Sequence, residues 1–158
     1  MKIRLAEPVD VNDIHRLIYE LAVYEKAPEA MVATVDQIKD SLFNDHPVAF
    51  CHVAEVDGKI VGIALWFLNY STWLGKPGIY LEDLFVQPEF RGHGLGKAFM
   101  KTLAQLCIER DYERFQWWVL DWNTPSIDFY KSLGAVPMDE WTVFRLYGDA
   151  LKKFASES

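Results

Sequence analysis

The hexapeptide Arg91-Gly92-His93-Gly94-Leu95-Gly96 constrains this chain more than any other segment, because glycines at alternate positions join a strand-like run to an amphipathic helix. Ile79 to Val86 read as the strand, and Leu95, Phe99, Leu103 and Leu106 fall on one face of the helix. A helix beginning there leaves its first amides without intrahelical partners. Alternate glycines let the main chain approach a pyrophosphate closely, and the helix dipole adds a favourable field of about 0.3–1 kcal/mol per charge. The segment therefore reads as a phosphate cradle. Its G-x-G-x-G spacing is not the dinucleotide fingerprint, and Arg91 stands where a Walker loop needs its first glycine, so hydride transfer and nucleotide hydrolysis fall away.

At 158 residues, without repeats, low-complexity tracts or a Pro/Gly/Ser linker, the chain is expected to form a single domain over residues 1–158. Ile3 and Leu5 alternate as a first strand. Asp10 stands as the N-cap of a helix whose stripe is Ile14, Leu17, Ile18 and Leu21. Thr34 and Gln37 form a capping-box pair ahead of a second helix that ends before Pro47. Ala49 to Val56 and Ile60 to Tyr70 are strands joined at Asp57-Gly58, a dipeptide suited to the positive φ angles of a type I′ turn. After the glycine loop and its helix comes a strand at Phe115 to Leu120. Thr124 and Pro125 then supply an N-cap and first-turn proline for a helix that stops at Gly134. Trp141 to Leu146 is predicted to close the sheet, followed by a short amphipathic tail around Leu151 and Phe154. The order β-α-α-β-β-β-α-β-α-β implies an α/β protein (α+β mixed sheet) with a central mixed β-sheet flanked by helices.

Composition narrows the partners. A formal net charge of -7 disfavours nucleic acid, whose phosphates want clustered Lys and Arg, and favours a cationic ligand. No apolar run approaches the roughly 20 residues of a membrane span, and Met1 to Leu5 reads as a strand without a signal-type block, so no membrane partner and a cytoplasmic location are expected. Cys51 and Cys107 lie in apolar segments and read as buried, reduced thiols. No metal site is expected, since His15, His46, His52 and His93 show no ligand spacing. His93 is expected to face solvent.

The run Tyr80-Leu81-Glu82-Asp83-Leu84-Phe85-Val86, then Pro88-Glu89-Phe90 and the glycine hexapeptide, resembles the coenzyme A motif of the GNAT superfamily of N-acetyltransferases. The later stretch from Trp122-Asn123-Thr124-Pro125-Ser126 to Phe129-Tyr130 and Gly134-Ala135 resembles the second half of the same cofactor site. More narrowly, Glu20-Leu21-Ala22 and Tyr24-Glu25, taken with Tyr80-Leu81-Glu82-Asp83, are similar to the diamine (spermidine/spermine) acetyltransferase family. The resemblance implies the GNAT acyl-CoA N-acyltransferase fold, with acetyl-CoA as donor and coenzyme A as product. It implies that Arg91, Gly92, His93, Gly94, Leu95, Gly96 and Lys97 surround the pyrophosphate while Leu84, Phe85 and Val86 pair with the pantetheine arm as an added strand. Asn123, Ser126 and Tyr130 would also face the cofactor, and a splayed strand edge would aim the Phe85 or Val86 amide at the thioester oxygen.

Acyl transfer to an amine has a proton problem, because an alkylammonium with a pKa of about 10 carries no lone pair at neutral pH. Alternation places Tyr80, Glu82, Leu84 and Val86 on one strand face, which makes Glu82 the expected base, directly or through water. Tyr130, at the family's position for the acid, would protonate the departing thiolate. By resemblance Tyr24, Glu25, Glu82 and Asp83 line the amine channel, and Glu140, or its neighbour Asp139, closes it. The expected acceptor is a small cationic polyamine-like amine. Asp121 and Thr124 stand where the family commonly has glutamates, and the Asp57-Gly58 hairpin and the loop from Gly134 to Trp141 are short. These departures touch the acceptor side, so thialysine-like amino acids, other diamines, arylalkylamines and protein amino groups stay open, as does a non-catalytic coenzyme A-binding module. A homodimer is expected from the family.

Overall fold

A computed structural model describes all 158 residues, and they form two compact units, Met1–Leu120 and Asp121–Ser158. The first unit is built on one five-stranded sheet in the order β1 (Lys2–Leu5), β2 (Phe50–Val56), β3 (Lys59–Ser71), β4 (Lys76–Val86) and β5 (Phe115–Trp117). The first four strands are antiparallel neighbours, and β5 joins β4 in parallel, giving the mixed sheet expected from the element order. The β2–β3 connection is tight: Asp57 and Gly58 have φ of 49° and 77°, as a type I′ turn requires.

Helices α1 (Val11–Tyr24) and α2 (Val35–Phe43) cover one face of the sheet. Ile14, Leu17 and Leu21 recur at helical spacing and pack with Leu42 against Cys51, Val53, Ile63, Leu65 and Phe85. Thr34 and Gln37 close the expected capping box of α2, with Thr34 Oγ1 accepting from the Gln37 amide at 3.1 Å and Gln37 Oε1 from the Thr34 amide at 2.9 Å. Asp10 precedes α1 but does not cap it with its side chain. Its buried carboxylate instead accepts from both terminal nitrogens of Arg4, at 2.7 and 3.0 Å, and from the Glu7 amide at 2.8 Å. The Arg4 hydrogen bond holds this carboxyl below its usual range, offsetting burial, and ties β1 to the start of α1.

The opposite face belongs to α3 (Leu95–Glu109), which buries Leu95, Phe99, Met100, Leu103 and Cys107. Gly62 lets this helix approach β3, since a Cβ there would meet a ring carbon of Phe99 and the Phe85 carbonyl, both at 3.1 Å. Cys51 and Cys107 are buried and unpaired, and burial pushes both thiols up. No helix is long and apolar enough to cross a membrane.

The second unit holds α4 (Thr124–Ser132) and α5 (Gly148–Ser156). Its helix cap falls one residue earlier than expected: Asn123 caps α4, its Oδ1 accepting from the Ser126 amide at 3.4 Å, and Pro125 occupies the first turn. Past α4, Gly134 takes φ of 92°, the left-handed stop foreseen for it. The expectation of a closing strand at Trp141 to Leu146 is corrected. These residues join no ladder in the five-stranded sheet, and a strand without a partner leaves its amides and carbonyls unpaired. Trp141 and Phe144 are 71% and 90% exposed, so apolar alternation there does not signal burial within this chain. β5 is likewise shorter than expected, ending at Trp117 instead of Leu120.

Gly78 governs where β5 attaches. A Cβ at this position would lie 2.6 Å from the Arg114 carbonyl and 2.9 Å from Asn69 Oδ1, and the Ile79 amide donates to that same Arg114 carbonyl at 3.1 Å. Gly78→Ala is expected to force backbone apart and destabilise the fold by about 1–3 kcal/mol, read as a lowered midpoint in thermal unfolding.

Candidate active site

The register of β4 explains how its residues come to face a site. Against β3, Leu65 pairs with Asp83 and Trp66 with Leu81, so Glu82 is the extra residue of a β-bulge. Pairing with β5 runs through Ile79–Phe115, Tyr80–Gln116 and Leu81–Trp117 and stops there, while pairing with β3 continues to Val86–Gly62. Residues 82–86 therefore form an edge that β5 does not cover. An extended chain can add to such an edge by main-chain hydrogen bonds.

The bulge also corrects the face assignment expected from simple alternation. Tyr80 lies opposite Phe67, whereas Leu84 lies opposite Ala64, and residues 67 and 64 of the regular strand β3 point to opposite faces. Tyr80, Asp83 and Phe85 thus share the α1 face, and Leu81, Leu84 and Val86 share the α3 face. Glu82, between them, is exposed at the point where the strands part. The sequence did not reveal this, since a bulge leaves no mark on a hydrophobic pattern only a few residues long.

Three carboxylates feel one another here. Asp83 is partly buried opposite Leu65, and burial, with further contributions from Glu82 and Glu25, pushes its carboxyl up to about 7. Glu25, at the end of α1, is raised by burial and then by Glu82. Its placement follows from how α1 stops: the Glu25 amide donates to Leu21 O at 2.8 Å, and Lys26 takes φ of 65° so that the Ala27 amide returns to Ala22 O at 2.9 Å. Tyr24, the preceding residue, lies under the Arg91 guanidinium, 5.2 Å from its ring centroid. On the same α1 face, the Tyr80 ring lies tilted beside Phe67 at 4.9 Å and meets Trp118 edge-on at 5.8 Å.

Beyond β4, a short turn at Pro88–Phe90 leads into the glycine loop. Gly92 and Gly94 have φ of 82° and 81°, angles that L side chains rarely adopt, and a Cβ on either would meet nothing within 4 Å. Conformation, not crowding, demands glycine at these two positions. Leu95 is the buried anchor of the loop, whereas His93 and Lys97 are exposed, His93 as expected. The first amide of the helical ladder to find its acceptor is Ala98, on Gly94 O at 2.9 Å. The amides of Leu95, Gly96 and Lys97 precede it and stay outside the ladder. Such a row of donors next to an uncovered strand edge suits a diphosphate attached to an amide-bearing arm.

The chain matches the Acetyltransferase (GNAT) family over residues 10–135, a span that runs from the start of α1 to the end of the Gly134 turn. It belongs to the GNAT family. A thialysine N-epsilon-acetyltransferase of Sus scrofa is 36% identical, with 98% of this chain and 97% of the relative aligned. A spermidine/spermine N(1)-acetyltransferase-like protein of Homo sapiens is also 36% identical, over 99% of this chain but 24% of that longer relative. Among solved structures, an integron cassette protein of V. cholerae superposes with a TM-score of 0.83 at 27% identity, covering 99% of this chain and 98% of the other. This GNAT protein is therefore an N-acetyltransferase. GNAT enzymes in general draw their acetyl group from acetyl-CoA, and the loop amides and the β4 edge of this member fit that donor's diphosphate and pantetheine chemistry.

The remaining residues singled out in the sequence lie in the second unit of the GNAT chain. Asn123 is buried at the cap of α4, and Ser126 and Tyr130 are partly buried along that helix. The Tyr130 ring lies 5.4 Å from that of Phe129, and its carbonyl accepts from the Leu133 and Ala135 amides at 3.1 and 3.2 Å. Glu140 is exposed in the turn before Trp141.

Asp83 ties stability to pH. Between its ordinary value of 3.8 and about 7, the unfolded chain has released this proton while the folded chain keeps it, so native stability falls as pH rises across that window. Asp83→Asn is expected to raise the melting temperature at pH 8 and to do so much less at pH 4.5. An equal gain at both pH values would show that this carboxyl ionises as an exposed acid does.

Proposed function

We propose that this protein transfers the acetyl group of acetyl-CoA to a primary amine of a small polyamine-like substrate, spermidine, spermine or another diamine, by direct attack in a ternary complex. The observation that carries the reading is the bulge at Glu82. It sets a cluster of carboxylates from two elements at the head of an uncovered strand edge that leads to the glycine loop. The net charge of -7 adds support for a cationic acceptor.

In this reading Gly92, His93, Gly94, Leu95, Gly96 and Lys97 offer main-chain donors to the diphosphate, flanked by Arg91. Leu84, Phe85 and Val86 align the pantetheine arm, and Asn123 and Ser126 add contacts from α4. Acetyl-CoA supplies the activated thioester. Glu82, exposed and free of a cross-strand partner, takes the ammonium proton directly or through a water. Tyr24, Glu25 and Asp83 hold the rest of the cation, with Glu140 closing the channel, and the Phe67–Tyr80–Trp118 rings offer an aromatic surface for its methylenes. Tyr130 returns a proton to the departing thiolate. The protein works as a single acetyltransferase domain, in the cytoplasm and as a homodimer; the exposed apolar side chains of Trp141, Val143 and Phe144 support a second copy as partner.

A second reading, a thialysine-like amino acid as acceptor, is favoured by a specific finding: the thialysine acetyltransferase relative aligns along 97% of its own length, the spermidine/spermine-like relative along 24%. Both acceptors present a primary amine at the end of a flexible chain and differ in whether the far end carries a second ammonium or a zwitterion. A thiol-release assay with acetyl-CoA against diamines, polyamines, lysine analogues, arylalkylamines and basic peptides decides between them. Diamines and polyamines should give the highest kcat/KM, whereas turnover confined to peptides would overturn both readings. Tyr130→Phe and Glu82→Gln should each lower kcat by about 100-fold or more, with the Glu82→Gln loss smallest at high pH, where the amine arrives deprotonated.

A further inference from the structure

We propose that Arg91 acts as a positioning residue for the acceptor amine, clasping Tyr24 to the strand that carries the cofactor edge. The inference deepens the acetyl-transfer reading, and it rests on Tyr24 and Glu25 bordering the amine site. Arg91 stands at the entry to the glycine loop, yet its side chain turns back along β4. Its Nε donates to the Val86 carbonyl at 2.8 Å, and its guanidinium carbon lies 5.3 Å from the Phe85 ring centroid and 5.2 Å from that of Tyr24. The planar cation thus touches an aromatic ring of β4 and an aromatic ring of α1 while hydrogen-bonded to the β4 main chain. A second tie joins the same two elements four residues earlier in the loop: the Gln87 side-chain amide donates to both oxygens of Glu20, at 3.3 and 3.2 Å.

Geometry gives this clasp a consequence for the acceptor. Tyr24 is the last residue of α1, and Glu25, next in the chain, is one of the acids coupled to Glu82 and Asp83. Lys26 holds a left-handed φ at this point, so the chain turns out of the helix directly after Glu25, and a tie on Tyr24 acts at the turn that carries this acid. Arg91 adds its hold from β4. A loop that grips a diphosphate at Gly92 and Gly94 would, through the neighbouring Arg91, also set the wall against which the amine is held.

Steady-state kinetics with separately varied substrates, together with calorimetric titration of coenzyme A, test the assignment. Arg91→Met should raise KM for the amine by about tenfold, and Tyr24→Leu, which leaves the cofactor loop intact, should raise it at least as much while coenzyme A affinity changes less than about threefold. The Arg91→Met/Tyr24→Leu double variant should be no worse for the amine than Tyr24→Leu alone, because once Tyr24 is gone Arg91 has no ring left to hold. Arg91→Lys, which keeps the charge but loses the planar fork, should behave as Arg91→Met does. An unchanged amine KM in Arg91→Met, a Tyr24→Leu loss concentrated in coenzyme A affinity, or a double variant worse for the amine than Tyr24→Leu would overturn the clasp. If the wild type acetylates no amine, the acetyl-transfer reading fails instead. The clasp is then read by hydrogen exchange at the amides of Glu25, Lys26 and Ala27, which must quicken in Arg91→Met, and unchanged exchange there sinks it.

Discussion

One extra residue in one strand organises the first unit. Because Glu82 has no partner on β3, β4 twists at that point, and β5, held to it at Ile79, Tyr80 and Leu81, no longer follows. The uncovered edge, the exposure of Glu82 and the arrival of Asp83 on the α1 face are three results of the same insertion. Without it, regular alternation would turn Glu82 toward α1 and Asp83 toward α3. Asp83 would then lie on a different face from the Tyr80 ring.

The cluster survives burial because it does not carry its full charge. Burial first, and then the two neighbouring acids, raise Asp83 toward neutrality, where keeping its proton costs little. Asp10, also buried, falls the other way, since Arg4 meets it with two nitrogens and the Glu7 amide completes its hydrogen bonds. The contrast separates an acid neutralised by a cation of the fold from an acid set among others of its own sign. Burial alone does not distinguish them; the sign of the partner does.

Much of this was legible from the residues. The Asp57-Gly58 turn, the Thr34–Gln37 capping box, the left-handed stop at Gly134 and the helix after Gly94 are local in origin, set by backbone angles and side-chain caps that a short stretch of sequence encodes. The glycine loop was legible for the same reason, since φ near 80° at Gly92 and Gly94 is a demand on single residues. What escaped depends on partners far along the chain. The bulge at Glu82 exists only in register with Leu65 and Trp66, and the Trp141–Leu146 stretch has strand-like alternation but no ladder within the five-stranded sheet. The Arg91 contact with Tyr24 joins residues far apart in the chain, which no spacing rule connects.

An acid that sits half-protonated near neutrality makes the capture of any positive guest an exchange of ions. As the guest's charge enters, the proton on Asp83 is displaced into the medium, and the apparent enthalpy of association then includes the ionisation heat of whichever buffer receives it. Two laboratories using phosphate and Tris would record different heats for one and the same event.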